Sequence, residues 1–156
     1  MILIENNYLH HDIFYKILST VQNKKFAWEV DSWETINLQH FLVKETGKEI
    51  SMFINEIIGD ILFNLKAKCV YEANVTLYTN RVKLNEFNST SSFLQSKNYK
   101  TFLLFLNSCD GYTKIPGLKK IQSTQNTVIL LDKPFPLINT NTTNENCRGV
   151  LTIHYT

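Results

Sequence analysis

The stretch Lys100–Asn126, KTFLLFLNSCDGYTKIPGLKKIQSTQN, decides the fold class of this 156-residue chain. It opens with an apolar run, Thr101–Leu106, that lacks a helical period and is typical of a strand buried on both faces. Turn-forming residues follow at Asn107–Gly111. Two more strands, Tyr112–Ile115 and Leu118–Gln122, are then predicted on either side of a Pro-Gly turn. The stretch therefore predicts a three-stranded antiparallel meander and a β core.

Two amphipathic helices are predicted before this stretch. Apolar residues recur at helical spacing over Leu9–Gln22, and a longer apolar stripe covers four turns from Ile50 to Leu65. Thr46 and Glu49 match a capping box, which predicts where the second helix begins. Each apolar side chain of that stripe contributes roughly 1.5–3 kcal/mol when fully buried, so we expect this helix to cover a sheet.

Short apolar or alternating runs predict the remaining strands. They are Met1–Glu5, Phe26–Val30, Leu38–Lys44, Lys68–Tyr78, Thr127–Leu131 and Arg148–Tyr155. The polar segments Asn80–Asn98 and Asn139–Asn146 are expected to be loops, and Asp31–Asn37 is expected to join two strands. Long loops without regular structure are often functional. The chain is thus predicted to be one α+β or mainly β domain covering residues 1–156.

Composition narrows the range of partners. The chain is 44% hydrophobic and 19% charged, and its net charge of +2 gives no field that would attract nucleic acid or an anionic membrane. The longest apolar run is Phe102–Leu106, far too short to span a bilayer. The opening MILIENN lacks a basic segment, so we expect no signal peptide. Three widely spaced cysteines favour free thiols in a reducing compartment.

The central stretch also carries a recognisable pattern. It consists of Lys100-Thr101, the apolar run, Asn107, Asp110-Gly111-Tyr112-Thr113, Gly117, Lys119, Ser123 and Asn126. This pattern resembles the small phage-encoded 2-oxoglutarate/Fe(II) oxygenases of the prolyl-4-hydroxylase-like kind, and the resemblance covers nearly the whole chain. It implies a double-stranded β-helix, a cupin-like jelly roll, with the two helices packed on one sheet. It also implies Fe(II) and 2-oxoglutarate as the cofactors of the family.

The iron site implied by this resemblance has no matching residues. The family holds Fe(II) with a His-x-Asp/Glu pair and a second histidine. The pair is expected within Phe87–Phe93 and the second histidine near Pro134–Leu137, yet no histidine occurs from Phe41 to Ile153. We therefore expect no metal site, no catalytic residue and no bound cofactor. The Phe87–Phe93 segment is either a strand facing an empty pocket or a loop that fills it.

Two residues match the cosubstrate contacts of the family. The final strand, Arg148–Tyr155, resembles its Arg-x-Val-x-Asn-x-Asn-Tyr pattern, which implies that Arg148 grips the distal carboxylate of 2-oxoglutarate. Tyr78 matches a tyrosine that lines the same pocket. The alternative for Arg148 is a packing role or an ion pair. Strand alternation places His154 on the face of Arg148, roughly 20 Å away, where we expect a hydrogen-bonded core histidine.

Other candidate residues are expected to be structural. Asp12 complements the N-terminus of the first helix, and the adjacent His10 and His11 are solvated. His40 lies outside the metal positions of the family. Cys109 sits in a turn and is expected to be an ordinary thiol rather than a nucleophile.

These observations predict a catalytically degenerate oxygenase-like domain that works as a structural or protein-binding module. Because the similar sequences are phage-encoded, the expected setting is a virion neck, tail or capsid, or the host cytoplasm. The expected partners are viral assembly proteins or further copies of the chain. One alternative is an active oxygenase that uses unusual ligands such as His154 or is completed by a partner subunit. Another is a sensor that binds 2-oxoglutarate through Arg148 and Tyr78 without turnover.

Overall fold

Strands dominate the part of the chain that this computed structural model describes, residues 1–32, 37–88 and 92–156. The strands are β1 (Ile2–Glu5), β2 (Glu29–Ser32), β3 (Asn37–Lys44), β4 (Glu49–Ile50), β5 (Val70–Thr79), β6 (Glu86–Asn88), β7 (Lys100–Phe105), β8 (Tyr112–Ile115), β9 (Lys119–Gln122), β10 (Val128–Leu131), β11 (Ile138–Thr140) and β12 (Cys147–Tyr155). The helices are α1 (His11–Val21) and α2 (Asp60–Leu65), and a π-helical turn, Asn55–Gly59, leads into α2. A 3-10 turn covers Ser92–Leu94.

These strands form two antiparallel sheets. The larger sheet has the order β1-β10-β7-β12-β5-β3-β2, with β4 beside β3, and the smaller has the order β6-β11-β8-β9. Pairings between strands far apart in sequence, such as β1 with β10 and β5 with β12, give the larger sheet its crossing connections. The predicted mainly β class with two helices is therefore confirmed.

The outer face of the larger sheet carries the helices. Alternating side chains of β7 and β12 point toward them, including Phe102, Leu104, Leu151 and Ile153. The helices contribute buried side chains from the predicted stripes, namely Phe14, Ile17, Val21, Ile57, Ile58 and Ile61. This shared apolar layer confirms that both helices cover one sheet.

The inner face of the larger sheet packs against the smaller sheet. The intervening side chains of β7 point inward, and Leu103 and Phe105 contact Ile115 and Leu137 of the smaller-sheet side. Strand β7 is thus buried on both faces, as its unbroken apolar run predicts.

The predicted three-stranded meander is wrong at its first strand. Strand β7 pairs with β10 and β12 in the larger sheet, whereas β8 and β9 form a hairpin in the smaller sheet. The turn at Asn107–Gly111 carries the chain from one sheet to the other. Both edges of β7 are already paired with β10 and β12, so β8 packs across the inner face of β7 through Ile115 rather than pairing beside it.

The capping box at Thr46 and Glu49 is also wrong. Thr46 has a positive φ of 59° and its N–H donates to the backbone of β5, while Glu49 belongs to β4. The helix begins only at Asn55, so the start of the predicted stripe lies outside it and Ile50 is 62% exposed. The hairpin between β3 and β4 uses these residues before the helix begins.

Both predicted polar loops contain more structure than expected. Asn80–Asn98 includes β6 and the 3-10 turn, and residues 89–91 of it lie outside the described part of the chain. Asn139–Asn146 begins within β11, and its first four residues are buried. Of the predicted Asp31–Asn37 connection, residues 33–36 are not described. No helix among the described residues is long and apolar enough to cross a membrane.

Candidate functional site

Arg148 lies inside the fold, between the two sheets. Its side chain is on the inner face of β12, directly across from Tyr78 on β5, and none of it is exposed. The guanidinium carbon lies 5.6 Å from the ring centroid of Tyr78 and 5.0 Å from that of Phe105. The structure thus brings together the two residues that match the cosubstrate contacts.

The guanidinium donates its hydrogen bonds to neutral groups of the smaller sheet. Nη1 donates to Asn139 Oδ1 at 3.3 Å and to the backbone oxygen of Thr140 at 3.1 Å, and Nη2 donates to Thr113 Oγ1 at 2.7 Å. The hydroxyl of Thr113 in turn donates to Asn139. These bonds tie β12 of the larger sheet to β8 and β11 of the smaller one.

The charge of Arg148 has no carboxylate counter-ion among the described residues. Burial lowers the pKa of Arg148 to about 10, so the group stays protonated at neutral pH. Its Nε has no hydrogen-bond partner within the described part of the chain. A buried cation in such surroundings is costly unless its hydrogen bonds and ring contacts compensate for lost hydration.

Gly111 allows this arrangement by close approach. A Cβ at this position would lie 2.5 Å from the backbone oxygen of Asn141 and 2.6 Å from Cδ of Arg148, both well inside contact distance. The Asp-Gly-Tyr-Thr motif therefore has a local physical role. Its glycine leaves space for the side chain of Arg148, and the hydroxyl of its Thr113 accepts a hydrogen bond from the guanidinium.

Asp110 of the same motif anchors the polar segment that carries the arginine partners. Its carboxylate accepts bonds from the Thr142 hydroxyl and the Thr143 backbone N–H, each at 2.8 Å, and from the Thr143 hydroxyl. Burial alone would raise the pKa of Asp110, but these bonds outweigh it and hold the pKa at about 2. The carboxylate of Asp110 is therefore ionised at neutral pH, and Thr142 and Thr143 already donate hydrogen bonds to it.

His154 lies farther along the inner face of β12. It is 3% exposed, its Nδ1 is 3.0 Å from the Thr101 hydroxyl, and the Tyr99 ring packs edge-on at 4.9 Å. Burial lowers the pKa of His154 to about 4, so the imidazole is neutral near pH 7. The prediction of a hydrogen-bonded core histidine is confirmed.

The remaining histidines are far from this inner face. His40 lies on the helical side, where Nε2 is 2.8 Å from the Ser51 hydroxyl and the ring packs against Phe26 at 4.0 Å. His10 and His11 are exposed beside Asp12 at the start of α1. The structural roles predicted for these residues agree with these positions.

The donor set does not fit an Fe(II) site. Within the described ranges no group of three or more His, Cys, Asp and Glu side chains is placed to hold a metal ion. The half-buried ring of Phe87 stacks on Tyr78 at 5.8 Å, in the segment where the family carries its metal-binding pair. The start of this segment is therefore a strand, β6, as in the first of the two predictions, and the ring of Phe87 fills space beside Tyr78; residues 89–91 lie outside the described part of the chain.

Sequence reasoning missed Thr113 and Asn139 as partners of Arg148. Thr113 belongs to the Asp-Gly-Tyr-Thr motif and Asn139 to the polar run Asn139–Asn146. The two residues come together only because β8 pairs with β11. The strand alternation of β12 was the available signal that Arg148 points inward.

Solved structures that are similar to this chain in fold include prolyl hydroxylases and a 2-oxoglutarate/Fe(II) oxygenase-family protein. A prolyl hydroxylase from Trichoplax adhaerens, in complex with a hypoxia inducible factor peptide fragment, is 14% identical with a TM-score of 0.65, over 99% of this chain and 82% of that one. An oxidoreductase of the 2OG-Fe(II) oxygenase family from Burkholderia pseudomallei is 10% identical with a TM-score of 0.67, over 99% and 84%. The viral collagen prolyl hydroxylase of Paramecium bursaria Chlorella virus-1 is 10% identical with a TM-score of 0.57, over 99% and 93%.

No protein-family model and no curated protein sequence matches this chain. At these identities the structural likeness establishes the fold alone. The chain therefore has the jelly-roll fold of the 2-oxoglutarate/Fe(II) oxygenases, and the predicted fold class is confirmed.

Proposed function

We propose that this chain is a non-catalytic form of the oxygenase fold that serves as a structural or protein-binding module. The proposal rests on the complete burial of Arg148 and on the hydrogen bonds that its guanidinium already makes. Its side chain has no exposed surface, and its Nη atoms already donate to Thr113, Asn139 and Thr140. A carboxylate has no room beside the guanidinium unless these partners move.

The chemistry of the histidines supports the same proposal. A two-His, one-carboxylate site needs two imidazoles on one surface. On the inner face of the described barrel, His154 is the imidazole present, and it is engaged with Thr101. Hydroxyls of serine and threonine do not replace imidazole as ligands for Fe(II), so no reaction step is assigned to this site.

Calorimetric titration with 2-oxoglutarate tests the proposal directly. The titration is run with and without Mn(II), a redox-silent substitute for Fe(II). We expect no heat of binding in either case. Binding that depends on Mn(II) would contradict the proposal, because it would require metal ligands that the inner face does not offer.

A second candidate is a sensor that binds 2-oxoglutarate without turnover. The unpartnered Nε of Arg148 and the missing counter-ion favour it, since a carboxylate that displaced the present partners of the guanidinium would satisfy both. If the chain is such a sensor, the titration with 2-oxoglutarate gives heat of binding without Mn(II), and the Arg148→Gln variant abolishes this heat. An unchanged affinity in that variant would exclude the sensor.

The concrete setting that we propose is a virion, by analogy with the phage-encoded sequences that this chain resembles. A structural component remains with purified particles at a fixed ratio to the major capsid protein. Mass spectrometry of particles purified on two successive density gradients measures that ratio. Persistent absence of the chain from such particles would contradict a virion role and leave a binding role inside the host cell.

A further inference from the structure

A groove lies on the opposite face of the larger sheet from Arg148. Its main hollow has a volume of about 650 Å³, which is within the range of ligand-binding clefts. It is lined by Leu18, Val21, Gln22, Asn23, Lys24, Phe26, Trp28, Leu77, Leu106, Asn107, Gln125, Cys147 and Gly149. The hollow thus lies between the C-terminal end of α1 and the ends of β5, β7 and β12.

A second hollow of about 350 Å³ adjoins the first along α1. It is lined by Asn7, Leu9, His11, Phe14, Tyr15, Gln125 and Asn126, so Gln125 borders both hollows. Together they follow α1 from His11 to its last turn. Eleven helical residues span about 16 Å, which equals the length of about five residues of extended chain. We call the two hollows together the α1 groove.

The floor and one wall of the α1 groove are apolar. Leu77 and Leu106 meet over Gly149, where a Cβ would lie 3.1 Å from Leu106, so the floor is closed by leucine side chains. Phe26 and Trp28 pack edge-on at 4.9 Å and form the wall. Leu77 and Trp28 remain half-buried. A matching apolar side chain would therefore remove further surface from water here.

The rim carries carboxamides that are free to bind a peptide backbone. The side chains of Asn7, Gln22 and Gln125 are exposed and make no hydrogen bond to the described residues. By contrast, the side-chain amides of Asn107 and Asn126 both donate and accept hydrogen bonds within the fold. A carboxamide both donates and accepts, as each peptide unit does. Such a rim can satisfy the N–H and C=O groups of an extended chain.

The charge of the rim has one sign. Lys24 lines the main hollow, and no aspartate or glutamate among the described residues lines either hollow. Lys24 also has no ion pair with any described residue. The groove therefore complements a segment that carries carboxylates next to apolar side chains.

We propose that the α1 groove binds an extended peptide segment of a partner protein, about five residues long, with apolar anchors and a carboxylate facing Lys24. This inference deepens the proposed binding role and rests on it. It is nonetheless tested separately, because the titration with 2-oxoglutarate concerns the other face of the sheet.

Selection from a displayed library of random nine-residue peptides tests the α1 groove. The immobilised target is the full chain, and selected peptides are then measured by fluorescence anisotropy against three variants. Gln125→Trp fills the junction of the hollows at an exposed position. Lys24→Glu reverses the charge inside the groove, and Lys25→Glu makes the same charge change at the exposed neighbour that does not line it.

We expect selected peptides to combine aliphatic or aromatic residues with aspartate or glutamate. Gln125→Trp should weaken their binding at least tenfold. Lys24→Glu should weaken it about three- to fivefold, as for an exposed charge pair, and Lys25→Glu less than twofold. Equal binding to wild type and Gln125→Trp would overturn the proposal, as would a library that yields no binder. Binding of a small apolar dye such as 1-anilinonaphthalene-8-sulfonate, without any peptide binder, would overturn it in favour of a small-molecule site.

Discussion

Replacing Arg148 with glutamine should lower the free energy of unfolding by about 2–6 kcal/mol. The variant loses three hydrogen bonds from a charged donor, each of which stabilises by about 1.5–3 kcal/mol. It also relieves the burial of the charge. Burial lowers the pKa of Arg148 from 12.5 to about 10, which corresponds to roughly 3 kcal/mol at about 1.4 kcal/mol per pKa unit. The hydrogen bonds outweigh this relief, so a net loss of stability is expected.

Urea denaturation followed by tryptophan fluorescence measures this loss as a shift of the midpoint at unchanged m-value. A Thr113→Val variant and the double variant complete a mutant cycle. We expect a coupling of about 1–2 kcal/mol, because Nη2 of Arg148 donates to the Thr113 hydroxyl at 2.7 Å. Lys24→Gln, a substitution at an exposed cation without an ion pair, serves as the control and should shift the midpoint little.

A loss below about 1 kcal/mol, with no coupling to Thr113, would refute the reasoning. It would mean that the contacts of Arg148 with the smaller sheet do not stabilise the fold. The charge would then be retained at a cost in stability, as is common for residues kept to bind a ligand. That outcome would favour the sensor over the structural module.

Three further predictions concern the inner face. His154 has a folded-state pKa of about 4 against about 6.5 in the unfolded chain, so the unfolded state binds the proton first and stability is lost as the pH falls from about 6.5 to about 4. Between pH 7 and pH 4 the wild type should therefore lose about 3 kcal/mol more stability than His154→Asn. Urea titrations at each pH measure this difference. Gly111→Ala should destabilise by several kcal/mol through the clash at 2.5 Å, whereas Gly117→Ala, with a φ of 75° and no atom within 4 Å, should lose only about 1 kcal/mol in thermal melts. Phe87→Ala should cost about 2 kcal/mol of stability and leave the calorimetric response to 2-oxoglutarate at zero, because Arg148 keeps its partners; recovered binding would show that Phe87 alone closes the pocket.

The sequence predicted the elements whose pattern reports directly on burial. The apolar run of β7 predicts burial on both faces, and the stripe before Leu65 predicts a helix on a sheet. In each case the spacing of apolar residues shows which side chains are buried. The capping box at Thr46 failed for a related reason. Its two side chains are compatible with a helix start, but pairing between β3 and β4 satisfies the same backbone groups in another way.

The surroundings of Arg148 were beyond sequence reasoning. Asn139 and Thr140 belong to a run of asparagine and threonine that is typical of an exposed loop, yet both are buried. Their polar atoms bond to the guanidinium and to other groups of the fold, so burial leaves them satisfied. Such a network depends on strands that are distant in sequence, and composition alone does not report on it.

The two candidate sites are adjacent in the chain but lie on opposite faces of one strand. Arg148 points between the sheets, and Gly149, the next residue of β12, forms the floor of the α1 groove. Alternation along a strand keeps successive side chains on separate faces. Substitutions of inward-facing residues of β12 therefore leave the side chains that line the α1 groove unchanged, and the titration with 2-oxoglutarate and the peptide selection report on separate faces of the sheet.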